Sequence, residues 1–312
     1  MVNMQKILIA FGGNALLRNG DDSTFGAQLI RAREAFAKIS DTILENDVII
    51  THGNGPQVGN ILLQNELSGG VTSPMPLHAC GSMSQGLIGE ILLNAYDDIR
   101  IKKGISKEGV VLMTRTVVSP DDPAFRNPSK PIGPYYDRQV SERLSREKDW
   151  VMREENGKGL RRLVPSPVPV DIVERSAIFS MLNDGFMPIC VGGGGIPVVK
   201  TPGGFVGVDA VIDKDLASSL IATILEVDRF VILTDVSNIF RDFGKKTEEG
   251  LHRISHEKLG ELLANGSFPS GSMEPKVMAV LDFVRKTGKK AVIGSLDDAG
   301  RVIAEEAGTV VY

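Results

Sequence analysis

Residues 207–220 read GVDAVIDKDLASSL, and the change of pattern within them decides how the chain is parsed. An extended, mostly apolar run ends at Asp213, Lys214 and Asp215, after which Leu216, Leu220, Ile221 and Ile224 recur at helical spacing. Strand-like sequence becomes helix with three charges at the junction. Asp215 suits a first turn, whose unpaired N–H groups and partial positive charge favour carboxylates. Lys214 does not, because a cation is repelled there unless an anion stands between; a phosphate would satisfy both the lysine and the open amides. A single lysine at such a place is ordinarily solvated. The residues that accompany this one argue otherwise.

Outward from that stretch, the same alternation repeats. Toward the N-terminus, residues 6–11 read as a buried strand followed by Gly12, Gly13 and Asn14, and residues 25–46 carry Leu29, Ile30, Phe36, Ile39 and Ile43 on one helical face. A strand at 48–51 runs into HGNGPQVG, where Pro56 fits the first turn of a helix continuing through Leu63. A helix at 83–99, a strand at 110–116, a helix at 171–183 and a strand at 187–191 follow; the last ends in GGGGIP, and 198–207 reads as a hairpin. Beyond the opening stretch come a strand at 229–233, closed by Thr234 and Asp235, and a loop through Phe240 and Phe243. Helices at 257–263 and 274–287, a strand at 291–293, a helix at 297–307 and a strand at 309–312 complete the chain. The alternation predicts an α/β fold whose mostly parallel sheet is covered on both faces, with its site at the carboxyl ends of the strands. Half of the sixteen prolines fall between Pro120 and Pro169 amid charge-rich sequence. Each fixes φ and removes a donor, so this region is an excursion: a stiff protruding loop or small subdomain.

Composition sets bounds. At 312 residues, 42% hydrophobic and 24% charged, the chain has ample core for one or two domains. A net charge of −4 gives no general attraction to nucleic acid or to an anionic membrane, so an anionic substrate would need local positive charge. Cys80 and Cys190 are the only cysteines and have no close spacing, which makes a reducing, cytoplasmic compartment the expectation. The opening MVNMQKILIAF lacks the pattern of a signal peptide, and no apolar run reaches the length of a membrane span.

Three strands end in glycine clusters: Gly12-Gly13, Gly53-Asn54-Gly55 and the run 192–195. In a parallel sheet such turns share one edge, where glycine lets a ligand approach the backbone and frees amides to bind anions. One cluster is ordinarily a tight turn; three on one edge favour anion binding. None matches GxxxxGK[ST] or a helix-opening GxGxxG, no GxSxG is present, and no histidine and cysteine spacing suits zinc. His52, just before a glycine turn, is placed for a polar contact near the site. Two further lysines stand in telling contexts. Lys276, in GSMEPK, is a second lysine at a helix start, and Lys130, in NPSKPIGPYY, is framed by Pro128, Pro131 and Pro134. Together they predict a mobile positive tip, on a stiff arm, facing two fixed positive groups, with Asp215 between them as organiser. Phosphoryl transfer needs such an arrangement, with Mg²⁺ on the nucleotide phosphates.

The blocks GGNAL, THGNGPQVG, FRNPSKPIGPYY, PSPVP, GGGGIPV, VDAVIDKDLA, LTDV, FPSGSMEPK and AVIGSLDDA, in this order, closely resemble the carbamate kinases of the amino acid kinase superfamily over essentially the whole chain. The resemblance implies a three-layer αβα sandwich with a mostly parallel central sheet, a single domain over 1–312 and a protruding subdomain at 118–165. It implies a homodimer that transfers a phosphoryl group between carbamoyl phosphate and ADP, giving ATP and carbamate, with Mg²⁺ carried by the nucleotide. Lys130, Lys214 and Lys276 would be the cations around the transferred group, with Asp215 holding the lysines. Gly12, Gly13, Asn14, Gly53, Asn54 and Gly55 would supply the anion-binding turns. Asp235, Phe243 and Met273 would lie near the nucleotide beside Lys214 and Lys276; Phe243 and Met273 also suit plain loop packing. Two positions depart from relatives. Ala10 stands where many superfamily members carry a lysine, a departure typical of carbamate kinases, and Ser237-Asn238 follows LTDV where relatives often have Asp-Gly. Rival readings are another small-acid or phosphonate kinase of the superfamily and a noncatalytic nucleotide-binding regulator.

Overall fold

Side chains along Lys6–Phe11 point alternately into two apolar layers. In the computed structural model, which describes residues 4–17, 20–155, 157–244, 246–268 and 273–312, Ile7, Ile9 and Phe11 join one buried cluster. They meet Phe36 and Ile39 of helix Phe25–Glu45 and Ile88, Leu92 and Tyr96 of helix Leu77–Lys103. Leu8 and Ala10 join the other, against Ile221 of helix Lys214–Ile224 and Val277, Val280 and Phe283 of helix Met273–Thr287. A strand apolar on both faces must be covered on both, and the result is the expected three-layer αβα sandwich.

The central sheet has eight strands, ordered Arg253–Ile254, Thr309–Val311, Lys290–Ser295, Arg229–Thr234, Lys6–Phe11, Asp47–His52, Met187–Ile189 and Gly109–Val111. Every pairing is parallel except Lys290–Ser295 with Thr309–Val311. Phe11 lies opposite both Leu233 and His52, so Gly12, Gly53 and the residues after Thr234 emerge together at one edge.

The excursion folds as a three-stranded antiparallel sheet, Lys130–Tyr136, Leu160–Val164 and Val151–Glu154, with helix Arg138–Lys148. Asp137 caps that helix by accepting from Val140 N at 2.8 Å. Trp150 carries the Arg162 guanidinium 4.2 Å from its ring centre and the Lys148 ammonium at 4.7 Å.

Several boundaries differ from the sequence expectation. The strand read at 110–116 is two strands, Gly109–Val111 in the central sheet and Arg115–Val118 in a second, four-stranded sheet. Thr114 is turned inward between them: its amide donates to Gln85 Oε1 at 2.9 Å and its hydroxyl to Leu112 O at 2.8 Å. The helix read at 171–183 begins as strand Pro169–Ile172, paired with Arg115–Val118, and becomes helical only at Arg175. Pairing with Arg115–Val118 holds it extended. The helix read at 297–307 is a short turn, Leu296–Asp298, followed by Ala299–Ile303, because Glu305 and Gly308 adopt left-handed backbone. The segment through Phe240 is a hairpin, Ile239–Arg241 with Glu249–Leu251. Residues 269–272 of the FPSGSMEPK block lie outside the described residues, as does the side chain of Asn14.

The four-glycine run is tightly packed, and its Gly193 also lines the cavity described below. The Gly194 and Gly195 amides donate to Val191 and Gly192 carbonyls at 3.0 Å each, and Thr116 Oγ1 donates to Gly194 O at 2.8 Å. A Cβ at Gly193 would stand 2.1 Å from Asn54 Nδ2, and one at Gly194 2.5 Å from the Ile212 carbonyl oxygen, with φ of 63° and 90°. Gly194→Ala meets both an unfavourable φ and a backbone atom that cannot swing aside, so it should lower folding stability by about 2–4 kcal/mol. A urea midpoint equal to wild type would contradict this account.

His52 offers a second test. It is buried at the end of strand Asp47–His52, with Nδ1 3.0 Å from Gly53 O, and burial above all, helped by the charge of Lys214, pulls its pKa down to about 4. Below pH 6.5 the unfolded chain therefore takes up a proton that the folded chain refuses until about pH 4. Stability from this group is complete above pH 6.5 and declines by about 3 kcal/mol as pH falls through that window. His52→Gln should flatten this part of the curve of urea midpoint against pH; curves that run parallel for the two proteins would refute it.

Candidate active site

Helix Lys214–Ile224 starts where the sequence suggested because Asp213 caps it, its Oδ1 accepting from Asp215 N at 2.9 Å and from Leu216 N at 3.4 Å. The Lys214 side chain runs past Gly53, where a Cβ would come within 3.3 Å of Lys214 Cδ, so the glycine opens its path. Lys214 Nζ then pairs with Asp215 Oδ1, and Lys276 Nζ lies 3.3 Å from Asp215 Oδ2. Lys276 belongs to the first turn of helix Met273–Thr287. From the excursion, Lys130 Nζ donates to Asp213 Oδ2 at 2.7 Å. Three ammonium groups from distant parts of the chain thus converge on two carboxylates. The sequence reading named Asp215 as the organiser; Asp215 pairs with Lys214 and Lys276, while Asp213, which that reading did not single out, pairs with the arm lysine.

Burial and charge pull these groups apart. For Lys214, burial dominates and lowers the pKa despite Asp215, with Lys276 adding to the lowering. For Lys276, burial acts in the same direction, but Asp215 and then Asp213 outweigh it and the pKa rises. Asp215 is also buried, which alone would raise its pKa, yet the two lysines hold it below the usual carboxylate range. The site is preorganised with positive charge and has its counter-charge built in.

These groups line a cavity of about 280 Å³. Its floor is Gly13, Gly53, Asn54 and Gly55; Lys130, Ile132 and Arg161 approach from the arm; Lys214, Asp215 and Lys276 form the opposite wall. The glycine turns divide their work. Gly12 N donates to Leu233 O at 2.8 Å and Gly53 N to Phe11 O at 3.2 Å, so those amides are spent on the backbone. Gly13 opens the turn Gly13–Ala15 with Asn14 as its middle residue, and Asn54 and Gly55 stand at the start of helix Gly55–Leu67, the kind of place where amides can meet an anion. The Asn54 side chain faces the protein, donating to Ser84 Oγ at 2.8 Å.

Three expected nucleotide residues do not line the cavity. Asp235 is exposed beyond strand Arg229–Thr234 and accepts from Thr234 Oγ1 at 3.0 Å; its charge also contributes to raising the pKa of Lys276. Met273, half-buried against the apolar core, stands one helical turn before Lys276. Phe243 is exposed, its ring 6.0 Å from that of Phe240. Asn238, one of the departures from relatives, is buried and donates to Leu251 O at 3.0 Å, fastening the adjoining hairpin. Ala10 is buried beneath helix Lys214–Ile224 in a cluster with Ala217 and Ile221, where a lysine would be desolvated.

Sequence reasoning passed over two residues. Asp213 carried a signal, an acidic residue at a helix start, but its second oxygen faces a lysine 83 positions away. Arg161 carried none: it reaches the cavity because Leu160–Val164 pairs with Lys130–Tyr136, and its guanidinium is fixed to Gly133 O at 3.1 Å and Glu155 at 2.9 Å. Among the described residues, no three His, Cys, Asp or Glu side chains gather as around a metal ion, and no helix is long and apolar enough to cross a membrane.

Comparison with known proteins shows the family. The family model described as the amino acid kinase family matches residues 5–295. A carbamate kinase of Thermoplasma volcanium is 48% identical over 309 residues, covering 99% of each chain, and one of Thermoplasma acidophilum is 45% identical with the same coverage. The solved structure of carbamate kinase from Giardia lamblia bound to AMP-PNP superposes with a TM-score of 0.93 at 39% identity, covering 100% of this chain and 99% of that one. By the family model, the identities and the fold, the chain belongs to the amino acid kinase family and groups within it with the carbamate kinases.

Proposed function

We propose that this chain transfers a phosphoryl group reversibly between carbamoyl phosphate and ADP, giving ATP and carbamate, by direct in-line displacement. The observation that carries the reading is the convergence of Lys130, Lys214 and Lys276 on one cavity floored by glycine turns. A phosphoryl group in flight spreads negative charge over its equatorial oxygens, and catalysis consists mainly of positioning two reactants and neutralising that charge. In the ATP-forming direction an oxygen of the ADP β-phosphate bonds to phosphorus as the bond from phosphorus to the carbamoyl oxygen breaks, and carbamate departs with that electron pair. No protein nucleophile enters.

Each residue has a derivable task in this reading. Lys214 and Lys276, fixed by Asp215, hold the phosphate oxygens from the side of the two helix starts. Lys130 neutralises the moving group from the arm. The amides of Gly13, Asn54 and Gly55 receive the non-transferred oxygens, while Asp235, Met273 and Phe243 lie on the approach to the nucleotide. Both cavity carboxylates are engaged by lysines, so Mg²⁺ fits as an ion held by the nucleotide phosphates, where it supplies further charge neutralisation. The proposal includes a homodimer in the cytoplasm and a single domain with residues 118–165 as its inserted subdomain.

The direct test follows ATP formation from carbamoyl phosphate, ADP and Mg²⁺, beside ADP formation from ATP with a panel of small acids. Turnover of another acid with none of carbamoyl phosphate would overturn the assignment, and nucleotide binding without turnover would point to a regulator. Lys130→Ala should leave the core folded and lower kcat far more than nucleotide affinity; equal losses of both would count against the arm. Lys214→Ala and Asp215→Ala should each cut kcat by about two to three orders of magnitude, the scale for removing a preorganised electrostatic group. Wild-type rates in either would remove these roles.

A further inference from the structure

We propose that Asp213 is a positioning residue that seats the arm, holding Lys130 over the cavity before substrate arrives and yielding it to the phosphoryl group; this rests on the function just proposed. Its two oxygens do separate jobs. Oδ1 caps the helix carrying Lys214 and Asp215, and Oδ2 accepts from Lys130 Nζ at 2.7 Å.

The need for such a seat follows from charge. Lys130 must come close to Lys214 and Lys276, which already share the two oxygens of Asp215 between them. With the cavity empty, repulsion would drive the arm outward. The Asp213 carboxylate is the negative charge that the arm lysine meets instead: Asp213 is largely buried, while the Lys130 side chain keeps 32% exposure, so solvent screens the pair only in part.

The arm is anchored on helix Gly55–Leu67. Gly133, in strand Lys130–Tyr136, lies against Gly59 of helix Gly55–Leu67 with no side chain between: a Cβ at Gly59 would sit 3.5 Å from Gly133 Cα. Farther along, Tyr136 OH donates to Glu66 at 3.3 Å. Lys130 is at the far end of this lever, flanked by prolines. An incoming phosphoryl group offers more negative charge than one carboxylate and draws the ammonium from Oδ2. Oδ1 continues to cap the helix, so the handover leaves Lys214 and Asp215 in place. Seating thus prepays the ordering of the arm, and its loss appears in kcat.

Asp213→Asn separates the two jobs, since asparagine caps a helix as well as aspartate does but carries no charge. In the unliganded protein, amide hydrogen exchange across 130–136 and 160–164 should accelerate about tenfold or more, while exchange in helix Lys214–Ile224 stays as in wild type. The kcat should fall about tenfold with KM for ADP unchanged, and in a Lys130→Met background Asp213→Asn should add no further loss. Asp213→Ser, which also caps, should repeat the pattern and covers the case in which the asparagine variant folds poorly. Unchanged exchange in the arm, or a loss that multiplies with that of Lys130→Met, would overturn the seat. The exchange readout needs no substrate, so it stands apart from any failure of the carbamoyl phosphate assignment.

Discussion

A single buried carboxylate, that of Asp215, ties together the active-site edge of this molecule. Two ammonium groups fixed a few ångströms apart and largely out of water repel each other and lose hydration, and neither cost is tolerable without a counter-charge between them. Asp215 meets that condition by giving one oxygen to Lys214 and the other to Lys276. It thereby ties the start of helix Lys214–Ile224 to that of helix Met273–Thr287. The apolar faces of both helices then pack on the same side of the sheet through Ile221, Val277, Val280 and Phe283.

The sandwich sets the geometry around this pair. Parallel strands deliver their carboxyl ends to one edge, and helices that follow them begin there, so open amides and lysines gather without any long-range design. What remains is to bring backbone close enough. Glycine does so in three ways here: Gly53 makes room for the Lys214 side chain, Gly12 lets the turn approach the Leu233 carbonyl, and the run at 192–195 lets the chain cross beneath Asn54 and Ile212. The site is made as much by missing side chains as by charged ones.

Much of the fold was legible. Helix and strand periods placed nearly every central element, because side chains buried on both faces of a sheet must be apolar at every position and those of a covering helix at every third or fourth. The errors fall where a tertiary contact overrides local pattern. Thr114 is turned inward by Gln85, which splits one apparent strand between two sheets, and residues 169–172 extend because a neighbouring strand pairs with them. The glycine run, read as an anion-binding turn, is required as well by the crowding of Asn54, Ile212 and Thr116 against it, which no local pattern announces.

By itself the sequence determined the αβα layering, the edge that carries the site and the identity of the cationic residues Lys130, Lys214 and Lys276. Each of these follows from local pattern or from charges set against a helix dipole. Only the tertiary structure decided how the carboxylates are shared, with Asp215 serving the two helix lysines and Asp213 the arm, and that Arg161 joins the cavity. Such pairings depend on which oxygen faces which ammonium across 83 residues of chain, a matter of three-dimensional distance that one-dimensional spacing does not encode.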